Sequence, residues 1–371
     1  MGERVLITGG AGFIGSHLCD ELLAAGYSVR LYDNLTPQVH ENGARPSYLS
    51  KDAELQCGDV RDATRVRRAL EGVDSVVHLA ASVGVGQSMY EIADYVGVND
   101  CGTATILQAL AENPVRKLVV ASSMSIYGEG RYRSASGAIV DDAARSDSSI
   151  RAGAWDPVDE DGQALVPMPT PEEKAPDLAS VYALTKFSQE RMCLLVGKAY
   201  GISTVALRFF NVYGTRQALS NPYTGVLAIF ASRLMNGNPP LIFEDGRQLR
   251  DFVHVRDIAQ ACRAAIAAPA AADGAYNIGS GRSVSILELA DRLRALLGRS
   301  DLKPQALGRY RIGDVRHCFA DIAKARAGLG FEPKVSLDDG MAELAAWVSR
   351  ETPRDQVDFA TGELARRGLV A

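Results

Sequence analysis

The stretch at residues 4–16, RVLITGGAGFIGS, predicts how the chain begins to fold. An apolar run at 5–8 is typical of a buried strand, and it is followed by glycines at the spacing GxxGxxG, namely Gly9, Gly12 and Gly15. Their missing side chains permit a tight turn from strand to helix and the close approach of a pyrophosphate to the positive end of that helix. The triplet alone is a weak signal, but its strand and helix context predicts a dinucleotide-binding turn.

Strands and helices alternate along the first half of the chain. Further strands are predicted at residues 29–32, 54–57, 75–80, 117–121 and 204–210. This order predicts an α/β protein with a Rossmann-type, doubly wound parallel sheet and ligands at the carboxyl ends of the strands. Asp33 follows the second strand, where a carboxylate can hold a ribose 2′-hydroxyl, and Asp59 follows the third, where it can accept from an adenine amino group. Asp33 favours NAD over NADP because a 2′-phosphate would meet a like charge.

The composition excludes several classes of function. The 371 residues carry a net charge of −5 without the basic field that nucleic-acid binding requires. No apolar run approaches the roughly 20 residues that span a bilayer, and a strand begins too early for a signal peptide, so we expect a cytoplasmic protein. Six cysteines and five histidines are widely separated, which predicts buried free thiols and no metal site.

Domain boundaries follow from where the alternation changes. Residues 1–215 are predicted to form a dinucleotide-binding domain to which 253–277 return, and 216–252 with 278–350 a smaller α/β substrate lobe, followed by a C-terminal tail at 351–371. A helix is predicted after Ser285, because Ser285 and Glu288 make a capping box. The polar stretch 130–178 is an insertion into the first domain and is either a functional flap or a mobile excursion.

A tyrosine and a lysine form the pair on which chemistry depends. Tyr182 and Lys186 are four residues apart and project from one helix face. A free tyrosine titrates near pKa ~10 and needs a neighbouring ammonium to act as a base. Ser123, at the end of the fifth strand, could pass a proton to Tyr182. On spacing alone a surface pair is the favoured interpretation, but the preceding dinucleotide-binding pattern favours catalysis. His78, inside an apolar strand, is interpreted as a core residue.

Several motifs resemble the extended short-chain dehydrogenase/reductase family. They are TGGAGFIG at 8–15, Asp33, GDV at 58–60, HLAA at 78–81, SS at 122–123 before IYG at 126–128, YALTK at 182–186 and RFFN at 208–211. More narrowly, they look like NAD-dependent nucleotide-sugar epimerases and dehydratases. The stretches at 216–246 and 250–257 are most similar to the dTDP-L-rhamnose 4-epimerase group.

This resemblance implies the residues of both binding sites. The positions expected to bind NAD are Gly9, Gly12, Phe13, Ile14, Gly15, Asp33, Asn34, Asp59, Val60, Leu79, Ala80, Ala81, Asn99, Tyr182, Lys186 and Phe209. Substrate contacts are expected from Ser82, Ser123, Asn211, Gln217, Arg250 and Arg316, of which the last four would hold the nucleotide diphosphate. Each of these arginines, taken alone, is about as well explained by an ion pair with Asp251 or Asp314. A homodimer formed through the helices near Asn99 and Tyr182 is also implied.

The resemblance also sorts the possible reactions. Sugar 4,6-dehydratases have an Asp-Glu pair directly after the hydroxyl residue, and decarboxylating relatives have a glutamate, whereas this chain has Met124 and Ser125 there. The expected activity is therefore epimerisation at C4 through a transient 4-keto sugar, with a dTDP-6-deoxyhexose as the expected substrate. The residues at 133–137, RSASG, replace a paired-cysteine motif of the most similar group and put that substrate in doubt. The alternatives are a 4-ketoreductase, an epimerase of UDP- or GDP-sugars, and a non-catalytic NAD-sensing protein.

Overall fold

Seven parallel strands form the central sheet. In a computed structural model that describes residues 2–40 and 43–370, these strands are β1 (Arg4–Thr8), β2 (Ser28–Asp33), β3 (Glu54–Cys57), β4 (Ser75–His78), β5 (Lys117–Ser123), β6 (Ser203–Phe209) and β7 (Gly274–Ile278). Their order is β7-β6-β5-β4-β1-β2-β3, and every pair is parallel. The order in which the strands are added to the sheet reverses beside β1, and this places a crevice at the carboxyl ends of β1 and β4. The predicted doubly wound sheet is confirmed.

Nine helices of eight or more residues occur in the described ranges. They are α1 (Phe13–Ala24), α2 (Ala63–Leu70), α3 (Gly102–Glu112), α4 (Val181–Tyr200), α5 (Val226–Met235), α6 (Val255–Ala267), α7 (Ile286–Leu296), α8 (Leu337–Val348) and α9 (Val357–Arg366). Shorter helical turns lie at Val85–Ser88, Ile92–Tyr95, Val96–Cys101, Met124–Tyr127, Asp147–Arg151, Ala270–Ala272 and Ala323–Leu329.

The alternation of side chains along each strand produces two cores. Val5 and Ile7 of β1 point to the face covered by α1 and α6, whereas Leu6 points to the face covered by α2, α3 and α4. Both cores are continuous across the sheet, so the carboxyl ends of the strands are held rigidly. This rigidity positions the side chains that follow β1, β4 and β5.

Outside the central sheet, α5, α7 and α8 build a further core around Leu227, Leu289 and Leu344, and we call the region that packs around this core the second lobe. The short strand pairs in and beside this lobe are Asn211–Tyr213 with Phe252–His254, Leu241–Ile242 with Gln305–Ala306, and Leu249–Arg250 with both Val284–Ser285 and His317–Cys318. Ser285 Oγ accepts a hydrogen bond from the Glu288 N–H at 3.2 Å, as expected of a helix cap.

The insertion at 130–178 folds into a small antiparallel sheet. Its strands are Ile139–Val140, Arg131–Arg133 and Val166–Met168, in that order. The Gly130 N–H donates to the His317 carbonyl at 2.8 Å, and the Thr170 N–H donates to the Phe319 carbonyl at 2.8 Å. The insertion is therefore anchored on the second lobe, which argues against a mobile excursion.

Two sequence-based expectations need correction. The segment expected to be a tail contains α9, which packs through Ala360 and Leu364, because these two residues lie one turn apart on a single face. All six cysteines are free, but Cys57 and Cys101 are exposed rather than buried.

No helix among the described residues combines the length and the apolar character needed to cross a bilayer. Nor do the described residues contain a cluster of three or more His, Cys, Asp or Glu side chains suited to a metal ion.

Candidate active site

The glycine turn after β1 divides its three glycines between two roles. A Cβ on Gly9, whose φ is +68°, would lie 2.9 Å from the Ala80 nitrogen, and one on Gly15 would lie 2.3 Å from the Gly9 carbonyl oxygen. A Cβ on Gly12 would meet nothing closer than the Gly9 carbonyl oxygen, at 3.4 Å. Backbone packing therefore requires the first and third glycines. The second leaves open space at the N-terminus of α1, as a bound pyrophosphate needs.

Asp33 joins the end of β2 to this turn. Its carboxylate accepts from the Ala11 N–H at 3.0 Å and from the Leu35 N–H at 2.9 Å. These bonds fix the orientation of a carboxylate that faces the cleft, where it can still accept from a ribose hydroxyl.

Asp59 faces the same cleft but already has a partner. Arg61 donates to both of its carboxylate oxygens, at 2.9 and 2.7 Å. The hydrogen bond from Arg61 lowers the pKa of Asp59 although partial burial opposes it. The carboxylate is therefore ionised and held at the cleft rim.

One cleft of about 720 Å³ runs along the carboxyl ends of the strands. All of the positions expected to bind NAD line it except Asn99, together with two of the expected substrate residues, Ser82 and Ser123. The residues brought together in this way are Gly9, Gly12, Phe13, Ile14, Gly15, Asp33, Asn34, Asp59, Val60, Leu79, Ala80, Ala81, Ser82, Ser123, Tyr182, Lys186 and Phe209.

Asn99 lies behind the cleft wall. Its amide oxygen accepts from the Ser82 N–H at 2.8 Å, and its amide nitrogen donates to the Ser82 carbonyl at 3.1 Å and to Thr185 Oγ1 at 3.0 Å. The side chain is fully buried in the π-helical turn Val96–Cys101. It therefore ties the loop after β4 to α4 and holds the cleft wall from behind.

Tyr182 and Ser123 meet where α4 begins beside the end of β5. Ser123 Oγ accepts from the Ser125 N–H at 3.2 Å and from the Ser125 hydroxyl at 2.9 Å. Ser123 and Tyr182 line the same cleft. Burial raises the pKa of Tyr182, and the neighbouring Ser123 hydroxyl opposes the increase. The serine hydroxyl is therefore close to the phenol.

Lys186 is buried one turn along the same helix face. Its ammonium donates to Gln189 Oε1 at 2.7 Å, and burial lowers its pKa to about 8. The Gln189 amide nitrogen donates to Thr103 Oγ1 at 2.7 Å, which fixes the orientation of the amide. Sequence reasoning missed Gln189, although its position three residues after Lys186 on the same helix face was a usable signal.

His78 is a core residue, as expected. Its ring nitrogens lie 2.7 Å from Thr8 Oγ1 and 2.9 Å from Thr103 Oγ1, and burial lowers its pKa to about 3. The neutral ring therefore links β1 and β4 to the helices beneath the cleft.

A wider groove of about 1120 Å³ continues from the cleft between the segments 37–40, 44–48, 215–223 and 343–359. Gln217 lines it, and the amide oxygen of this buried side chain has no partner among the described residues. The Asn211 amide nitrogen donates to the Asp251 carbonyl at 3.0 Å, which leaves its second N–H and its oxygen for a ligand.

Three arginines lie near Asp314 in the second lobe, and their surroundings differ. They are Arg250, Arg311 and Arg316. Arg316 is fully buried and pairs with Asp156 at 2.7 Å, Glu244 at 2.9 Å and Asp245 at 2.6 Å. Three carboxylates enclose its guanidinium, so this arrangement does not support the expected contact of Arg316 with a diphosphate, which stays a prediction.

The surroundings of Arg250 fit the expected contact with a diphosphate better than those of Arg316 do. It contacts Asp314 at 3.3 Å and donates to the Arg316 carbonyl at 2.9 Å. Arg311, which sequence reasoning missed, bonds Asp314 through one terminal nitrogen at 2.9 Å. Its buried Nε has no partner among the described residues. The arginine with unused donors is thus Arg311, five residues before the one that was expected.

Comparison with known proteins agrees with this geometry. A model of the NAD dependent epimerase/dehydratase family matches residues 5–146 and 160–279. The chain belongs to this family. A dTDP-L-rhamnose 4-epimerase from Burkholderia thailandensis is 36% identical over 95% of this chain and 97% of its own length.

Solved structures of the family cover nearly the whole chain. The UDP-glucose 4-epimerase of Thermotoga maritima with UDP-glucose is 30% identical, covers 94% of this chain and 99% of its own, and has a TM-score of 0.75. The UDP-glucuronic acid 4-epimerase of Bacillus cereus, in complex with UDP-glucuronic acid and NAD, is 28% identical over 94% and 99% of the two chains, with a TM-score of 0.74.

The cofactor of this family member is NAD, and its cleft fits the group. Gly12 leaves space for the pyrophosphate, and the Asp33 carboxylate is oriented for the ribose. Ala80 and Ala81 line the cleft with small side chains, against which a planar ring can pack. The protein is therefore an NAD-dependent enzyme related to nucleotide-sugar epimerases.

Proposed function

We propose that the protein epimerises a nucleotide-activated sugar at C4 and returns its NAD unchanged. The observation that carries this proposal is that Ser123, Tyr182 and Lys186 line one cleft, with no acid or base directly after Ser123. Met124 packs into an apolar cluster and the Ser125 hydroxyl bonds to Ser123, so neither residue supplies the proton transfer that dehydration needs. Reversible oxidation at one carbon is the chemistry that remains.

The chain contributes a proton path and an electrostatic setting. Tyr182 takes the proton of the sugar 4-hydroxyl and later returns it, with Ser123 as a bridging donor. The Lys186 ammonium stabilises the phenolate and is itself held by Gln189. NAD⁺ held at the glycine turn and Asp33 would supply a reversible hydride acceptor for C4, and the two C4 configurations would interconvert by way of a ketone. The closed redox cycle makes the enzyme an isomerase.

The nucleotide diphosphate is proposed to bind beside Arg250, Arg311 and Gln217. Arginine suits a diphosphate because its planar fork of donors matches the oxygens. The buried Arg311 Nε and Gln217 Oε1, both without partners among the described residues, support this assignment. Arg316 has no part in it.

The sugar is proposed to be neutral. Among the described residues lining the cleft, the basic side chains are His40, Arg61 and Lys186. Burial lowers the pKa of His40, although Asp33 opposes the shift, and Arg61 is paired with Asp59. The Lys186 ammonium donates to Gln189 and is assigned to the phenolate, so the described lining residues offer no further cation to a sugar carboxylate, which disfavours uronic acids. We propose a dTDP-6-deoxyhexose as the first substrate to test, with neutral UDP-hexoses as the second.

A substrate panel tests the proposal. Purified protein is mixed with dTDP-L-rhamnose, UDP-glucose, UDP-glucuronic acid and GDP-mannose, and the sugar signals are followed by NMR without added cofactor. We expect inversion at C4 of a neutral sugar and no net NADH at 340 nm. Turnover only with added NADH would indicate a 4-ketoreductase instead, and NADH that rises with consumption would indicate a dehydrogenase. No reaction with any sugar would contradict the proposal.

We also propose that the protein is a homodimer. Leu184 and Leu195 on α4 are 51% and 59% exposed, and Ile92 in the neighbouring helical turn is 51% exposed. Large apolar side chains on adjacent helices are expected to be covered by a partner. A second copy of the same face would bury them in a bundle of helices.

A further inference from the structure

The last helix, α9, contacts the segment at 84–90 beside the active site. The Leu364 side chain lies over Gly86, where an added Cβ would come within 3.2 Å of it. The Arg367 guanidinium stacks on the Tyr90 ring, 4.3 Å from the centroid. None of these four residues lines the cofactor cleft, and the matched family model ends at residue 279, well before this helix.

The same segment holds the catalytic tyrosine. Ser88 Oγ accepts a hydrogen bond from the Tyr182 N–H at 3.0 Å, which fixes the start of α4. The Tyr95 ring packs edge-on against Tyr182, with 6.4 Å between centroids. A Cβ on Gly84, whose φ is +128°, would lie 3.1 Å from the Tyr95 hydroxyl. The segment therefore has little freedom, and its position determines that of the phenol.

Tyr90 and α9 also contact residues of the second lobe. Tyr90 hydrogen-bonds through its hydroxyl to Tyr223, which precedes α5. Asp358 of α9 pairs with Arg233 of α5 at 3.0 Å. After the helix, the Leu369 carbonyl accepts from the Ile312 N–H at 3.0 Å. The stretch at 353–370 thus runs from α5, across the 84–90 segment, to the loop that carries Arg311.

We propose that α9 is a positioning element of the sugar pocket, with Leu364 and Arg367 holding the 84–90 segment and, through Ser88, Tyr182. The inference rests on the proposed function for its kinetic consequence. A loosened segment would hold the sugar less tightly and would let the ketone escape before its reduction. Each escape would leave NADH on the enzyme and interrupt the redox cycle.

The test compares neighbouring arginines. Arg367→Ala removes the stacked guanidinium, whereas Arg366→Ala removes an equal charge from a side chain that is 69% exposed and paired only locally with Glu363. Because a cation–π contact at a partly exposed site is weak, we expect Arg367→Ala to raise KM about two- to fivefold. NADH left per turnover should rise as well. Arg367→Lys should recover part of both effects, and Arg366→Ala should match wild type.

Two further measurements keep the result interpretable. NAD content after purification reports whether a variant is folded, because no residue of α9 lines the cofactor cleft. Hydrogen exchange of peptides covering 84–90 should be faster in Arg367→Ala and Leu364→Ala than in Arg366→Ala. Equal exchange and equal kinetics in all three variants would overturn the positioning role. If exchange changes but no sugar is turned over even by wild type, the proposed function fails and the positioning role stands.

Discussion

At the scale of single residues, Tyr182 and Lys186 oppose each other in their response to burial. Burial raises the pKa of the phenol and lowers that of the ammonium to about 8. Each shift taken alone disfavours the charged form that catalysis uses. The two charges have opposite signs and lie on one helix face, so each favours the ionisation of the other when the site is active. Gln189 accepts a hydrogen bond from the ammonium, and the Ser123 hydroxyl opposes the increase in the pKa of the phenol.

Replacing the phenolic oxygen tests its role most directly. Tyr182→Phe keeps the ring that packs on Tyr95 and removes the proton acceptor, so we expect epimerisation to fall by about 10²–10⁴-fold. NAD should remain bound, because the glycine turn and Asp33 are untouched. NMR of the sugar and quantification of released NAD measure both outcomes. Activity close to wild type would exclude Tyr182 as the base.

Gln189 offers a second test through pH. The Lys186 ammonium exists below its pKa of about 8, so kcat/KM should fall as pH rises through that value. Gln189→Glu places a carboxylate against the ammonium and should shift this fall to higher pH. Gln189→Met removes the acceptor and should shift it to lower pH. Glu190 and Cys193 also raise the pKa and are unchanged in both variants. Identical profiles in the three proteins would contradict the role of Gln189.

At the scale of elements, the glycines of the turn between β1 and α1 have different roles. We expect Gly15 to be needed for folding and Gly12 for NAD binding. A methyl at Gly12 meets only one protein atom, at 3.4 Å, whereas one at Gly15 would lie 2.3 Å from the backbone oxygen of Gly9. We expect Gly12→Ala to melt close to wild type but to lose NAD affinity. Gly15→Ala should lower the melting temperature markedly, because the backbone must shift. Thermal unfolding and NAD titration of both variants check the distinction, which fails if Gly12→Ala binds NAD normally.

The same elements show what sequence can predict. The strands, the glycine turn and α4 depend on local periodicity and on side chains that are close in sequence, and the structure has them where they were expected. Sequence could not distinguish Arg316 from Arg311, because the two flank Asp314 on an irregular loop, where no periodicity indicates which one faces a ligand. The sheet of the insertion and the packing of α9 depend on contacts with distant residues such as His317 and Gly86, which no local pattern encodes.

At the scale of the whole molecule, the proposed dimer depends on apolar side chains at the surface of α4. Leu195→Glu should convert a dimer into a monomer, because the charge would have to be buried in the interface. Leu296→Glu, at a 47% exposed position of α7 in the second lobe, is the matched control and should leave the mass unchanged. Light scattering after size exclusion measures the mass of each. A monomeric wild type would contradict the dimer.

The order of the chain has a consequence for synthesis on the ribosome. Every described residue lining the cofactor cleft precedes residue 225, whereas β7 comes at Gly274–Ile278 and α9 at Val357–Arg366. During translation β6 therefore remains an unpaired sheet edge until β7 emerges, and such an edge is prone to aggregate. A nascent chain that captures NAD at this stage gains stability by mass action before its sugar pocket exists. NAD would then stabilise the folding chain before it takes part in the reaction.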